Sequence, residues 1–242
     1  MRALTLDTDP VDGRWAVAQE LLWISDGPPQ PGWWQVLRAQ HHRSGLWPLL
    51  LGAISERDPG RPWLDEGDLF PEQVRSAPGD HYPGVLLGGW WASVEKDEPW
   101  TGLAHRGEIT TDPDEHAAAT ADLLLEFDWL ASPRLGLVPA GRGADTLAAV
   151  AWSGPLNHES DTARISCVIR SWEDRFGARV LGAGFATLFL SVAGPPTTLA
   201  HARHLATEHM AFCPDNIWQG AGSLDAYAES LVGAPMWSFW WD

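Results

Sequence analysis

An α+β fold is the class this sequence predicts, on three observations. From residue 146 to residue 241 the patterning runs strand, helix, strand, strand, helix, short helix, strand, the order of a split βαβ, or ferredoxin-like, layout. The segment 161–176 is strongly amphipathic, with Ile165, Val168, Ile169, Trp172 and Phe176 at i, i+3, i+4, i+7 and i+11. A chain of 242 residues, 45% hydrophobic and 20% charged, is globular and long enough to bury a core. The expectation is a C-terminal ferredoxin-like part over 135–242, an antiparallel or mixed sheet with helices on one face. An N-terminal α/β extension over 1–134 precedes it. The division falls where Ala131-Ser132-Pro133 and Pro139-Ala140-Gly141-Arg142-Gly143 flank a short apolar run, Leu135 to Val138. The two parts are either separate or one continuous domain sharing a sheet.

In chain order, residues 33–43 have helical spacing through Trp33, Val36 and Leu37, and Gly45 suits the left-handed residue that ends such a helix. Residues 46–51 read as a strand; Pro48 cannot donate to a ladder, which places it near the strand's start or on an edge. Residues 55–84, rich in Pro, Gly and Asp, predict a long irregular connection. Residues 85–94 read as a strand interrupted by Gly88-Gly89. Thr111, followed by Asp112-Pro113-Asp114-Glu115, predicts a helix running to about Leu130, with Leu123, Phe127 and Leu130 as its apolar face.

In the C-terminal part, residues 146–152 read as a strand. Ser160 or Asp161 caps the amphipathic helix and Gly177 stops it. Strands follow over 179–183 and 185–192. Pro195-Pro196-Thr197-Thr198 opens a helix over 199–212. Ser223 caps a short helix over 224–232 that turns Leu224, Tyr227, Ala228 and Leu231 inward and ends at Gly233, and residues 236–241 form the last strand.

Charge and composition exclude several classes. Asp and Glu number 32 against 16 Lys and Arg, a formal net charge of -16, which offers no footprint for nucleic acid or anionic lipid and suits a partner with a basic surface. Lys96 is the sole lysine and Asn157 and Asn216 the sole asparagines, so part of this skew follows a GC-rich coding background. No apolar run reaches the length of a membrane span, and the opening Met1-Arg2-Ala3-Leu4-Thr5-Leu6-Asp7 lacks a signal-peptide pattern. Two cysteines, Cys167 and Cys213, make no disulfide framework, and the expected compartment is a reducing cytoplasm. Tryptophan is in excess, 16 against 2 Tyr and 7 Phe. Indole serves cores, and it also serves binding surfaces.

Several stretches resemble the family called domain of unknown function 4253. They are Trp172-Glu173-Asp174-Arg175-Phe176-Gly177-Ala178, Glu208-His209-x-Ala211-Phe212-Cys213-Pro214-Asp215-Asn216, Trp218-Gln219-Gly220 and the ending Trp237-x-Phe239-Trp240-Trp241-Asp242. Trp152-x-Gly154-Pro155-x-Asn157 and Gly45-Leu46-Trp47-Pro48-Leu49-Leu50 are similar to it as well. The resemblance implies a cytosolic protein of a high-GC bacterium and brings no activity with it. His201 and His204 lie outside the pattern.

The candidate chemistry centres on the exit of the 199–212 helix. His209 and Cys213 are one turn apart, Pro214 ends the helix, and Asp215 follows. An imidazole beside a thiol, with a carboxylate orienting the ring, is the arrangement of a nucleophilic hydrolase or acyl transferase, and the same three groups could hold zinc. Against this, a helix C-terminus raises a thiol pKa, and buried Cys and His more often pack and satisfy carbonyls. His201, His204 and Glu208 share a helical face but lack the HExxH order, and read as a solvated face. His41-His42 is unspecific. Asn157-His158-Glu159-Ser160 either lines a pocket with Trp152 or caps the helix that follows. No phosphate loop and no GxSxG elbow occurs.

The function expected from the sequence is thus a non-catalytic, acidic protein-binding module with no cofactor, of inhibitor or immunity type or part of an assembly. The alternative is a hydrolase or acyl transferase built on Cys213, His209 and Asp215, with or without zinc. A third reading is small-ligand or carbohydrate binding through tryptophan. The candidate binding residues are Trp152, Asn157, Gln219 and Trp240.

Overall fold

A computed structural model describes residues 12–16, 21–64, 69–95, 97–127 and 129–242. The opening heptapeptide, Lys96 and residues 65–68 of the irregular connection lie outside these. The described strands form one mixed seven-stranded sheet. They are β1 (Gly13–Trp15), β2 (Trp23–Ser25), β3 (Leu46–Leu51), β4 (Arg134–Pro139), β5 (Ala178–Ala183), β6 (Thr187–Val192) and β7 (Met236–Trp240), in the order β1-β2-β4-β3-β5-β6-β7. Only β3 and β5 run parallel. The helices are α1 (Trp33–Ser44), α2 (Pro83–Val94), α3 (Pro113–Glu126), α4 (Thr146–Ala149), α5 (Thr162–Phe176), α6 (Leu199–Phe212) and α7 (Leu224–Leu231), with short 3-10 turns and one π turn between them.

The ferredoxin-like strand order expected for 135–242 is corrected by this sheet. β5, β6 and β7 are neighbours in chain order, and β3, from the N-terminal part, sits between β4 and β5. The expected strand over 146–152 is instead a 3-10 turn at Gly143–Asp145 followed by the single turn of α4.

Helices cover both faces of the sheet, not one. Trp237 and Phe239 of β7 meet Trp172 of α5 at ring centroid distances of 5.7 and 5.4 Å, and Leu190 stands opposite Trp237. Arg179 pairs with Ser191, one residue out of phase with Leu190. Alternation along a strand therefore sends Arg179 to the other face. There its Nε donates to Asp114 of α3 at 2.7 Å.

Local signals set most helix ends. Gly45 and Gly177 adopt left-handed φ values of 69° and 61° after α1 and α5, where a side chain would be strained. The Asp161, Thr198 and Ser223 side chains accept backbone N–H groups at the starts of α5, α6 and α7. The cap of α3 is Asp112, which accepts from the amides of Asp114 and Glu115, in place of Thr111. β3 lies inside the sheet, so Pro48 is not on an edge; its pairing with β5 involves only Leu50 and Leu51.

Two further expectations are reversed. Residues 83–94 form the helix α2, not a strand: Pro83 takes the first position, where no N–H is needed, and Leu86, Leu87, Trp90 and Trp91 recur on one helical face and are buried. α2 packs on α5 and α6 as an outer layer. α3 buries Ala117, Ala118 and Ala121, small side chains that allow close approach to β5 and β6. Leu123 and Phe127, expected inside, are 45% and 57% exposed.

Candidate functional site

α6 delivers the three residues of the expected catalytic set to its exit, and each takes a different partner. The His209 ring is fully buried. It stands among Trp237, Trp172, Phe239 and Tyr227 at 4.6, 4.9, 4.9 and 5.8 Å. Its Nδ1 lies 3.0 Å from the Tyr227 hydroxyl and its Nε2 has no partner among the described residues. Burial, then the nearby Arg175 charge, hold its pKa well below the usual imidazole value. Cys213 is fully buried; its Sγ donates to the Trp240 carbonyl at 3.0 Å and contacts Asn216 Oδ1 at 3.4 Å. Burial pushes its thiol up to about 12, the opposite of what a thiolate nucleophile requires. Asp215 accepts from Gln219 Nε2 at 3.1 Å and from the Asp242 amide at 3.2 Å. This geometry supplies no nucleophile–base–carboxylate relay.

The face carrying His201, His204 and Glu208 is not solvated. It clasps the irregular segment 102–105. His204 Nε2 reaches the Gly102 carbonyl at 3.0 Å and His201 Nε2 the His105 carbonyl at 2.8 Å. The Glu208 carboxylate is fully buried and accepts from the Ala104 amide, Trp172 Nε1 and both terminal nitrogens of Arg175, at 2.6 to 2.8 Å. Among the described residues, no group of three or more His, Cys, Asp or Glu side chains is placed to hold a metal ion.

The candidate binding residues are scattered. Trp152 is buried, with its Nε1 donating to the Gly184 carbonyl at 2.8 Å. Asn157 Nδ2 donates to the Asp242 carbonyl at 3.0 Å, and Gln219 is spent on Asp215. Trp240 is half-buried and lines a cavity of about 260 Å3 with Asn216, Tyr227 and Ser238.

A larger cavity lies elsewhere, between α2 and the turn that enters α5. It holds about 640 Å3 and is lined by Arg75, Val85, Leu86, Trp90, Leu156, His158, Glu159 and Arg164. Glu159 is nearly buried and accepts from Arg164 Nη1 at 2.5 Å and from Trp90 Nε1 at 3.3 Å. Arg75 Nη2 donates to Ser160 Oγ at 3.0 Å. The His158 ring lies 5.3 Å from that of Trp90, and burial lowers its pKa against the opposing pull of Glu159. So His158, Glu159 and Ser160 line a pocket, with Trp90 and not Trp152, while Asn157 lies outside it. Sequence reasoning missed Trp90, Arg75 and Arg164; reading α2 as a strand hid the first. The signal that could have found it was the helical recurrence of Leu86, Leu87, Trp90 and Trp91 behind Pro83.

A third feature is a surface one. Phe127 and Trp129 stack in the open with centroids 5.6 Å apart, 57% and 49% exposed, and Leu123 one turn earlier extends the patch.

Comparison with known proteins bears on the C-terminal part. Residues 134–242 match the family model described as "Domain of unknown function (DUF4253)", so this segment belongs to that family. The match contains the α6 exit and one wall of the large cavity; α2 and Arg75, the other wall, lie outside it, as does the similar stretch at 45–50. No curated protein and no solved structure matches the chain.

Proposed function

We propose that this chain is a non-catalytic protein-binding module of the cytoplasm, of inhibitor or immunity type, whose docking face is the patch of Leu123, Phe127 and Trp129. The observation that carries the reading is the open stack of Phe127 on Trp129. Two large rings left in water cost free energy that burial against a partner recovers, and aromatic anchors dominate interface energetics. The patch has acidic neighbours, Asp122 and exposed Glu126, on a chain of net charge -16. A partner with an apolar recess inside a basic rim is the complement. The committed bonds of His209, Cys213 and Asp215 support a scaffolding role for that set.

The test is photocrosslinking followed by titration. A photoreactive phenylalanine at position 127 captures the partner in the source cell; the purified partner is then titrated calorimetrically against wild type and a Phe127→Ser, Trp129→Ser variant. We expect the variant to bind at least about tenfold more weakly and wild-type binding to weaken as salt rises. No captured partner, or equal affinity for wild type and variant, overturns the proposal.

A further inference from the structure

We infer that the cleft between α2 and the entrance of α5 is a binding site for a small, flat organic anion. This inference is independent of the docking patch, which lies at the C-terminal end of α3 and just beyond it. Three observations converge on it.

The first is local charge. The chain as a whole is strongly acidic, yet the cleft is lined by two arginines and one carboxylate. Arg164 is paired with Glu159 at 2.5 Å. Among the described residues Arg75 donates to the Ser160 hydroxyl and has no carboxylate within ion-pair distance. His158, driven toward neutrality by burial, adds no charge of its own, so the arginines and Glu159 set the local balance. A guanidinium that meets a hydroxyl instead of a carboxylate keeps most of its fork for an incoming anion.

The second is the wall. Leu86 and Trp90 form an apolar side, and Val85 and Leu156 stand at the rim, 73% and 41% exposed. An indole flanked by aliphatic side chains selects a flat apolar body, and a volume of about 640 Å3 is the size of small-molecule sites.

The third is Gly89. It lines the cleft from the middle of α2, and a Cβ built on it would meet nothing within 4 Å. Glycine inside a helix costs about 1 kcal/mol relative to alanine, and here no neighbouring atom requires it. Its effect is to leave the floor of the cleft open. Gly88 beside it differs, since a Cβ there would come within 3.1 Å of Trp100.

The experiment uses two fluorescent probes with the same ring system: 1-anilinonaphthalene-8-sulfonate, an anion, and N-phenyl-1-naphthylamine, which is neutral. Both are titrated into the full chain carrying Phe127→Ser and Trp129→Ser, which removes the exposed stack as a competing probe site. We expect one saturable site that binds the sulfonate at least about tenfold more tightly than the neutral probe. Adding Arg75→Gln should bring the two affinities together. Adding Gly89→Leu, whose Cβ enters open space and whose side chain then occupies the cleft, should abolish binding of both while the melting temperature holds or rises. Equal affinity for the two probes, or sulfonate binding that survives Gly89→Leu, overturns the inference. Because these titrations are made without the docking patch, failure there leaves the proposed function standing, and loss of the partner leaves this site standing.

Discussion

His209 and His158 face the same physical problem in two different surroundings. Both imidazoles are pushed toward neutrality by burial, and each keeps an Nε2 without a partner among the described residues. Around His209 the space is closed by Trp172, Trp237, Phe239 and Tyr227, and the thiol and carboxylate nearest in sequence are committed to other bonds. Around His158 the wall opens onto a cavity of about 640 Å3 with arginines at its edge. The chemical groups are similar; access differs. An unsatisfied buried imidazole is therefore no sign of a site by itself. It becomes one when the neighbouring volume can admit a ligand.

The largest effect that would sharpen this contrast is at Glu208, on the closed side. Replacing it by glutamine leaves Arg175 buried with its charge unmatched and sets an amide N–H2 against donors. We expect Glu208→Gln to lose about 3–5 kcal/mol of stability in urea titrations; a loss under about 1 kcal/mol would show that this side is not sealed.

The pH profile probes the same region with a smaller effect. An imidazole whose folded pKa lies below its unfolded value of 6.5 takes up protons on unfolding as pH falls. Its contribution is thus fully present above about 6.5 and is lost below it. Wild type should lose more stability than His209→Gln on going from about pH 7 to pH 5, by about 1–2 kcal/mol. Parallel profiles for the two proteins would mean that water or protons reach His209 in the folded state.

The smallest effect belongs to the open side. Arg75 is exposed and donates one hydrogen bond to Ser160 Oγ. Arg75→Gln should therefore change thermal stability by no more than about 0.5 kcal/mol. A larger loss would mean that the cleft, like the α6 exit, is held for structural reasons.

Much of the fold was readable along the chain, and the exceptions have physical causes. α1, α5, α6 and α7 were legible because their caps and stops act through neighbours within four residues, as at Gly45, Asp161, Gly177, Thr198 and Ser223. α2 was misread because apolar residues lie nearly all round the run Pro83 to Val94 and Gly88-Gly89 divide it, which masks the helical recurrence of Leu86, Leu87, Trp90 and Trp91. α3 was found, but its orientation was inverted. The sequence offers both an alanine face and a leucine–phenylalanine face, and hydrophobicity alone prefers the second. At the candidate sites, the sequence brought His209 and Cys213 within one turn of each other and singled out 157–160. It could not show that Tyr227, Asn216 and Trp240 would take their polar atoms, or that Trp90 and Arg75 would complete a cleft.

What the amino-acid sequence determined by itself was an acidic α+β chain, the ends of its capped helices and most of its C-terminal strands, since capping and periodicity are satisfied within a turn or a strand. Tertiary structure alone decided the order of the strands, the burial of the α6 exit, the outward turn of Phe127 and the opening beneath α2. Each of those depends on surfaces contributed by segments tens of residues apart, and which side chain stays in water is settled only when those surfaces meet.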